Sequence, residues 1–578
     1  MLRFERASSI VFNQLKYYGS PRPFFLSLRA SISTTRSLRA LSSIMTESQN
    51  DLYDYTSGRW VYNDALRHKE RRVTFDVDGL CRLAAESLKQ SLSDVLSISK
   101  LAEGGFNRTF LVALRDGRQV VARIPYPIAV PHYYAVASEV ATMEYQRSCG
   151  IPVPEIYGYS ADANNVAGTP YIFMEFIHGP KLGDVWRSLG DDEVISVIRQ
   201  LTQLESRMMS RPFPAGGSLY FTEDLEKFRP GLGVPLEDKR FCVGPDTKLA
   251  LWYGRRTGLD VYRGPYHSAE EVLAVAAHKE IAYLRQFGQP LLPWRRERRP
   301  SYKYQLQSPL DHVENLERYL GITSSLVPQD PALSRFYIRH PDLHPNNIFV
   351  SWSPGSDCKI VSLFDWQHTS ILPMFLLAGI PQRLQNHADA VSQSMTLPSR
   401  PENLDQMGEA RRDGEEYRYR LRLVHYHYVV STMECNPLHY AAFTDRLFAL
   451  RGRLFLHAGG PWEGESFDLE AALIQATNKW EDLTGAVVPC PIKFDTKDLD
   501  EMAELDKEMS ETTRGFELLQ AMRGIGEEGW VPVKDYEDTV AFLKQFKEES
   551  LAGAESVEER EEIMDQWPWN DMDEEMYM

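Results

Sequence analysis

The sequence predicts an α+β protein in two lobes, a small β-rich lobe followed by a larger helical lobe that carries an insertion. Three observations lead there. Residues 85–180 alternate short β-rich runs with one helical stretch. From residue 181 onward the apolar spacing turns helical. A polar loop backed by a β-hairpin then interrupts the helices between Arg339 and Asp365.

In the small lobe, Val120–Ile124 and Tyr171–Phe176 read as buried strands, and Ser138–Arg147 as a helix ending at Gly150 just before Pro152. The large lobe is expected to run from 181 to 545. There Asp191–Met208 places Val194, Ile198, Leu201 and Met208 on one face, and Ser268-Ala-Glu-Glu271 opens a helix that runs to Phe287. Ser308-Pro309 opens another. The polar segments 401–415 and 485–510 read as connections between further helices. The hairpin comprises Ile348–Ser351, a Pro354-Gly355-Ser356-Asp357 turn, and Lys359–Phe364. Its strands run antiparallel, so the residues flanking it, Asn347 and Asp365, meet at the open end.

The ends of the chain differ from its middle. Residues 1–44 carry seven bases (Arg3, Arg6, Lys16, Arg22, Arg29, Arg36, Arg39) against Glu5 alone and are rich in serine, the composition of a mitochondrial transit peptide. Residues 45–84 form an N-terminal extension. Residues 546–578 read as a solvated acidic tail, with twelve acids between Glu548 and Met578 and Arg560 as the one base. The net charge of −17 argues against nucleic acid as a partner, because phosphate binding needs a cationic surface. No apolar run reaches the length of about 18 residues that spans a bilayer. The six cysteines show no Cys-x-x-Cys pair, which suits neither a zinc site nor a disulfide framework.

Chemistry concentrates in Arg339-His-Pro-Asp-Leu-His-Pro-Asn-Asn-Ile348. An amide oxygen from Asn347 and a carboxylate from Asp365 suit a hard cation such as magnesium, with Asp342 nearby to deprotonate a hydroxyl. Upstream, the run Leu101-Ala-Glu-Gly104-Gly105-Phe-Asn-Arg-Thr109 lies between two β-rich stretches, where glycines let backbone amides approach phosphates.

The run His340-x-Asp342-Leu-His344-x-x-Asn347-Ile348, followed by Phe364-Asp365-Trp366, resembles the catalytic loop and metal motif of the aminoglycoside phosphotransferase and choline kinase-like family. That resemblance implies a bilobal protein kinase-like fold and ATP with Mg2+ as cofactors. It makes Asp342 the catalytic base, Asn347 and Asp365 the metal ligands, and His340 and His344 supports of the loop. It also places Arg123 where the family presents a phosphate-contacting lysine, pairs Arg123 with Glu139 (Glu144 being the alternative partner), and gives the adenine edge to the backbone of Glu175 to Ile177. The chain departs from the pattern at Arg123, at Pro341, where the family often has glycine, and at Trp366. Gly244-Pro-Asp246, Trp252, Gly264-Pro-Tyr266, Asp365-Trp-Gln-His-Thr-Ser370 and Ala378-Gly-Ile-Pro381 resemble the fungal subgroup named for altered inheritance of mitochondria.

The expected activity is therefore ATP- and magnesium-dependent phosphoryl transfer to a hydroxyl of an unidentified small molecule, in mitochondria. A catalytically weak pseudokinase or nucleotide-binding scaffold is the alternative. A metallohydrolase built on His340-x-Asp342-x-His344 is a third reading, and it lacks further ligands.

Overall fold

A computed structural model describes residues 48–526 and 528–578; the expected transit peptide, residues 1–44, lies outside them. A short strand, β1 (Gly58–Trp60), precedes a five-stranded antiparallel sheet made of β2 (Val95–Glu103), β3 (Asn107–Leu114), β4 (Gln119–Pro125), β5 (Ile156–Ser160) and β6 (Tyr171–Glu175), ordered β2-β3-β4-β6-β5. Strand β3 alternates buried and half-buried residues, as a strand with one covered face should, whereas central β4 is buried on both faces from Val120 to Ile124. On one face, Phe110, Val112, Val120, Ala122 and Ile124 pack against helix α1 (Val77–Ser87) and against Tyr55, Trp60, Val73 and Phe75. Residues 55–85 are thus part of this lobe's core.

The other face, with Val121, Ile172 and Met174, packs on Val136, Ala137, Val140 and Met143 of α2 (His132–Ser148). This helix starts six residues before the expected Ser138. Burial is unbroken from Tyr134 to Met143, so no polar stripe marks its first turns. Glu139 accordingly sits inside the helix rather than at its start.

In the large lobe α3 (Asp191–Met208) packs in the same core as α2 and its sheet face, whereas α4 (Ala269–Phe287) and α5 (Pro309–Leu320) share a separate core. Ser268 caps α4 by accepting from the Glu271 N–H at 3.1 Å, while the Glu271 carboxylate reaches back to His267 N instead of Ser268 N. A three-stranded sheet of β7 (Ser218–Phe221), β8 (Val234–Pro235) and β9 (Phe241–Gly244) lies in the insertion. Strands β10 (Phe336–Ile338), β11 (Ile348–Ser351), β12 (Lys359–Leu363) and β13 (Ile371–Pro373) follow, with β10 on β13 and β11 on β12.

Helix α6 (Glu409–Cys435) begins inside the segment expected to be a connection, as does α9 (Thr496–Arg523), which follows α7 (Phe448–Gly459) and α8 (Phe467–Asn478). Helix α9 buries only Met509 and Leu519, so its helicity left no apolar stripe to read; a capping box between Asp495 and Asp498 starts it.

The acidic end is not a solvated tail. After β14 (Trp530–Pro532), which pairs with β1, helices α10 (Val533–Ala552) and α11 (Val557–Asp565) lead to Trp567, Trp569 and Tyr577, all buried. Glu574 meets Arg67 at 2.6 Å with both side chains buried, and Asn63 donates to it at 2.6 Å. Arg296 of the insertion donates to the Trp567 carbonyl at 2.8 Å. Apart from buried Glu574 and half-buried Glu559, the acids face water while the aromatics bind the body. Among the described residues, no helix is long and apolar enough to cross a membrane.

Candidate active site

Strand β10 delivers Arg339 into a buried network. Its guanidinium donates to Glu205 at 2.6 Å, to the Gly379 carbonyl at 2.8 Å and to the Tyr428 hydroxyl at 3.1 Å, pinning the start of the polar loop. Next, His340 spends both ring nitrogens on the loop itself: Nε2–H donates to the Phe364 carbonyl at 2.7 Å, and Nδ1 accepts from Asp342 N at 3.1 Å. Burial pushes its pKa down to about 4 and outweighs the opposite pull of the Phe364 carbonyl and the nearby carboxylates, so the ring is neutral. With no lone pair left for a metal, His340 cannot serve the metallohydrolase reading.

Register then does what the hairpin predicts. Ile348 pairs with Leu363, and Phe364 N donates to the Asn347 carbonyl at 2.8 Å, carrying the ladder one step beyond the strands. Asn347 and Asp365 stand at the open end. Asp365 adopts φ 67°, a left-handed conformation uncommon outside glycine, held by the structure around it. The Asn347 amide nitrogen donates to the Asp342 carboxylate and to the Asp342 carbonyl, both at 3.1 Å. That leaves the Asn347 amide oxygen facing away from Asp342, and none of the described residues donates to it. Asp342 itself is exposed.

Arg123 on β4 reaches across the lobes. One guanidinium nitrogen lies 2.9 Å from Glu139 of α2; the other lies 2.5 Å from Asp365 and 3.3 Å from Gln367. Glu139, not Glu144, is its partner. Burial pushes Glu139 up to about 7, with Arg123 opposing and Asp365 adding to the rise. At Asp365 burial also disfavours the charge, but Arg123 outweighs it and holds the carboxyl below its ordinary value. Arg123 engages only one Asp365 oxygen. The second, with the Asn347 amide oxygen, makes a pair of hard donors of the kind magnesium takes.

The glycine-rich turn folds down onto this cluster. Gly104 N donates to the Asn107 carbonyl at 2.8 Å, the Asn107 and Gln367 side-chain amides meet at 2.5 Å with the Asn107 oxygen turned to accept from Arg123 at 2.7 Å, and the Phe106 ring meets His368 edge-on at 5.6 Å. Neither Gly104 nor Gly105 has a positive φ, and a Cβ at Gly105 would touch nothing within 4 Å. The fold itself does not require glycine at 105. At the end of β6, Glu175 pairs with Val120 of β4, and its carboxylate accepts from Glu155 N at 3.2 Å. Glu175 and Ile177 lie outside the hydrogen-bonded cluster, at the crossing between lobes.

Sequence reasoning missed Gln367 and Asn107, the two amides that finish the cluster. Their signal was position alone, two residues past Asp365 and two past Gly105. It also gave the insertion no place. Asp246 accepts from Ser370 at 2.6 Å and His368 donates to the Thr247 carbonyl at 2.7 Å, so the Gly244-Pro-Asp246 segment braces the stretch directly behind Asp365.

A model of the phosphotransferase enzyme family matches residues 97–375. Over 515 residues the chain is 30% identical to a subtelomeric hrmA-associated cluster protein of Aspergillus fumigatus, an alignment covering 82% of this chain and 97% of that protein. It is 23% identical over 563 residues to altered inheritance of mitochondria protein 9, mitochondrial, of Yarrowia lipolytica, covering 93% and 91%. Among solved structures, a macrolide 2'-phosphotransferase from Brachybacterium faecium aligns at 13% identity over 72% of this chain and 100% of the other, with a TM-score of 0.28.

Proposed function

Because this chain belongs to the phosphotransferase enzyme family, with its two-lobed kinase-like fold, we propose that it moves the γ-phosphoryl group of ATP to a hydroxyl of a small-molecule acceptor in mitochondria. The observation that carries this reading is the open end of the β11–β12 hairpin. There a catalytic-loop carboxylate, an amide oxygen and a second carboxylate gather beside a cross-lobe arginine.

Each group has a task in that reaction. Exposed Asp342, aimed by the Asn347 amide, accepts the proton of the acceptor hydroxyl as its oxygen attacks the γ-phosphorus and the bond to the leaving ADP oxygen breaks. Asn347 and Asp365 would hold magnesium, which when bound neutralises phosphate charge. Arg123, held from behind by Glu139, presents to phosphate the arm that meets Asp365 here. The turn at Gly104 and Gly105 offers backbone amides to the phosphates, and the Glu175–Ile177 backbone takes the adenine edge. The basic, serine-rich leader and the mitochondrial names of relatives support the location.

Incubation of the protein with labelled ATP and a mitochondrial metabolite extract tests the proposal. A labelled small molecule should form with wild type and not with Asp342→Asn; equal labelling by both would sink it. The scaffold alternative draws on one observation, the Arg123–Asp365 contact, which already neutralises a proposed metal ligand with an internal cation. Thermal shift separates the readings. Stabilisation by ATP that grows with magnesium supports the enzyme, whereas stabilisation by ATP indifferent to magnesium supports the scaffold.

A further inference from the structure

Glu103 directly precedes the glycine pair, and its carboxylate is among the most heavily bonded groups in the molecule. One oxygen accepts from Thr56 N at 2.9 Å, Ser57 N at 2.8 Å, the Ser57 hydroxyl at 2.7 Å and the Thr56 hydroxyl at 3.3 Å. The other accepts from Arg108 Nε at 3.1 Å and lies 2.9 Å from Lys100 Nζ. Only 1% of the side chain is exposed. Burial opposes the charge, yet Lys100, Ser57 and Thr56 together outweigh it and keep the carboxyl below its ordinary value. The same two cations grip the chain ahead of the sheet: Arg108 donates to the Leu52 and Arg71 carbonyls, and Lys100 to the Asp54 carbonyl.

A turn that must bring backbone amides close to phosphates gains from a fixed starting point, since a misplacement of about 1 Å is enough to cost much of the benefit of orientation. Here that point is not supplied by the sheet alone. Leu52–Ser57 runs straight into β1, and β1 pairs with β14, Gly58 opposite Pro532. Gly58 is required there, because a Cβ would lie 2.1 Å from the Trp530 indole nitrogen.

We propose that Glu103 is a positioning residue of the phosphate-binding turn, tying its first residue to the Leu52–Ser57 segment and making that segment a working part of the nucleotide site. This rests on the reading of Gly104 and Gly105 as the phosphate turn. Glu103→Gln keeps the shape but presents an NH2 group to a set of donors. It should speed hydrogen exchange at residues 104–107 and weaken binding of a fluorescent ATP analogue about tenfold, the loss of a charge-assisted hydrogen bond. Ser57→Ala, which removes one donor, should move both readouts in the same direction by less, and it stands in should the first variant fail to fold.

Leu473→Ala, in the core of α8 far from the turn, lowers stability without touching Glu103 and should leave exchange at 104–107 unchanged. Exchange and affinity unchanged in both Glu103→Gln and Ser57→Ala would overturn the proposal, as would equal loosening in Leu473→Ala. If wild type binds no nucleotide, the nucleotide reading falls, and the exchange comparison alone decides whether Glu103 anchors the turn.

Discussion

Asp342 stands in water while His340, which accepts from its backbone amide, is buried, and this division separates activity from stability. Its carboxylate is held by a single amide, that of Asn347, so Asp342→Asn should leave the melting temperature unchanged. Phosphoryl transfer should fall by about 10²–10⁴, the usual worth of a positioned base. An intact rate would remove Asp342 from the chemistry. Arg123 behaves oppositely, being buried between Glu139 and Asp365. Arg123→Met leaves Glu139 buried without its cation and should cost about 3–5 kcal/mol, read as a lower denaturant midpoint. At this scale Asp342, Asn347, Asp365, Arg123 and Glu139 were legible, because a loop motif and a hairpin bring them together locally or in a known order. Gln367, Asn107 and Glu103 were not, since amides and carboxylates are common on surfaces and only their distant partners give them a task.

Among the elements, two glycines show how differently one residue type can be used. Gly105 meets nothing, whereas a Cβ at Gly179, with φ 142°, would lie 2.6 Å from the Val350 carbonyl. Gly105→Ala should therefore leave thermal stability unaltered yet weaken ATP binding, and Gly179→Ala should destabilise by about 2 kcal/mol or more. Equal melting losses in both would show that the fold, not a ligand, needs glycine at 105. Helices with one wet face, such as α3 and α4, announced their bounds through spacing and caps. Those buried all round, like the start of α2, or polar all round, like α9, carry no 3.6-residue stripe and were misplaced or passed over.

Among the described residues, the C-terminal arm returns to the N-terminal extension through Arg67 and Glu574 and to the insertion through Arg296. Glu574→Ala takes from buried Arg67 its shortest ion pair and leaves it Glu70 at 3.0 Å, so it should cost about 1.5–3 kcal/mol; a loss near zero would mean that the arm only rests on the surface. Acid should also weaken the fold. Burial pushes His312 and His425 down to about 4, from the ordinary 6.5 of an unfolded histidine. Between those values the unfolded chain binds more protons than the folded one, so stability is full above about pH 6.5 and falls as pH drops toward 4, by about 3 kcal/mol per histidine at the limit. A melting temperature flat from pH 7 to 4.5 would contradict this. By itself, the sequence determined the two-lobe plan and the meeting of Asn347 with Asp365 beside Asp342, because periodicity, caps and a hairpin's register are short-range and printed in order along the chain. Only the tertiary structure decided that the acidic end is a buried arm, that the insertion braces Asp365, and that a segment ahead of the sheet holds the glycine turn. Those contacts join residues between 46 and 511 positions apart, and no local pattern records which buried partner a charge will find.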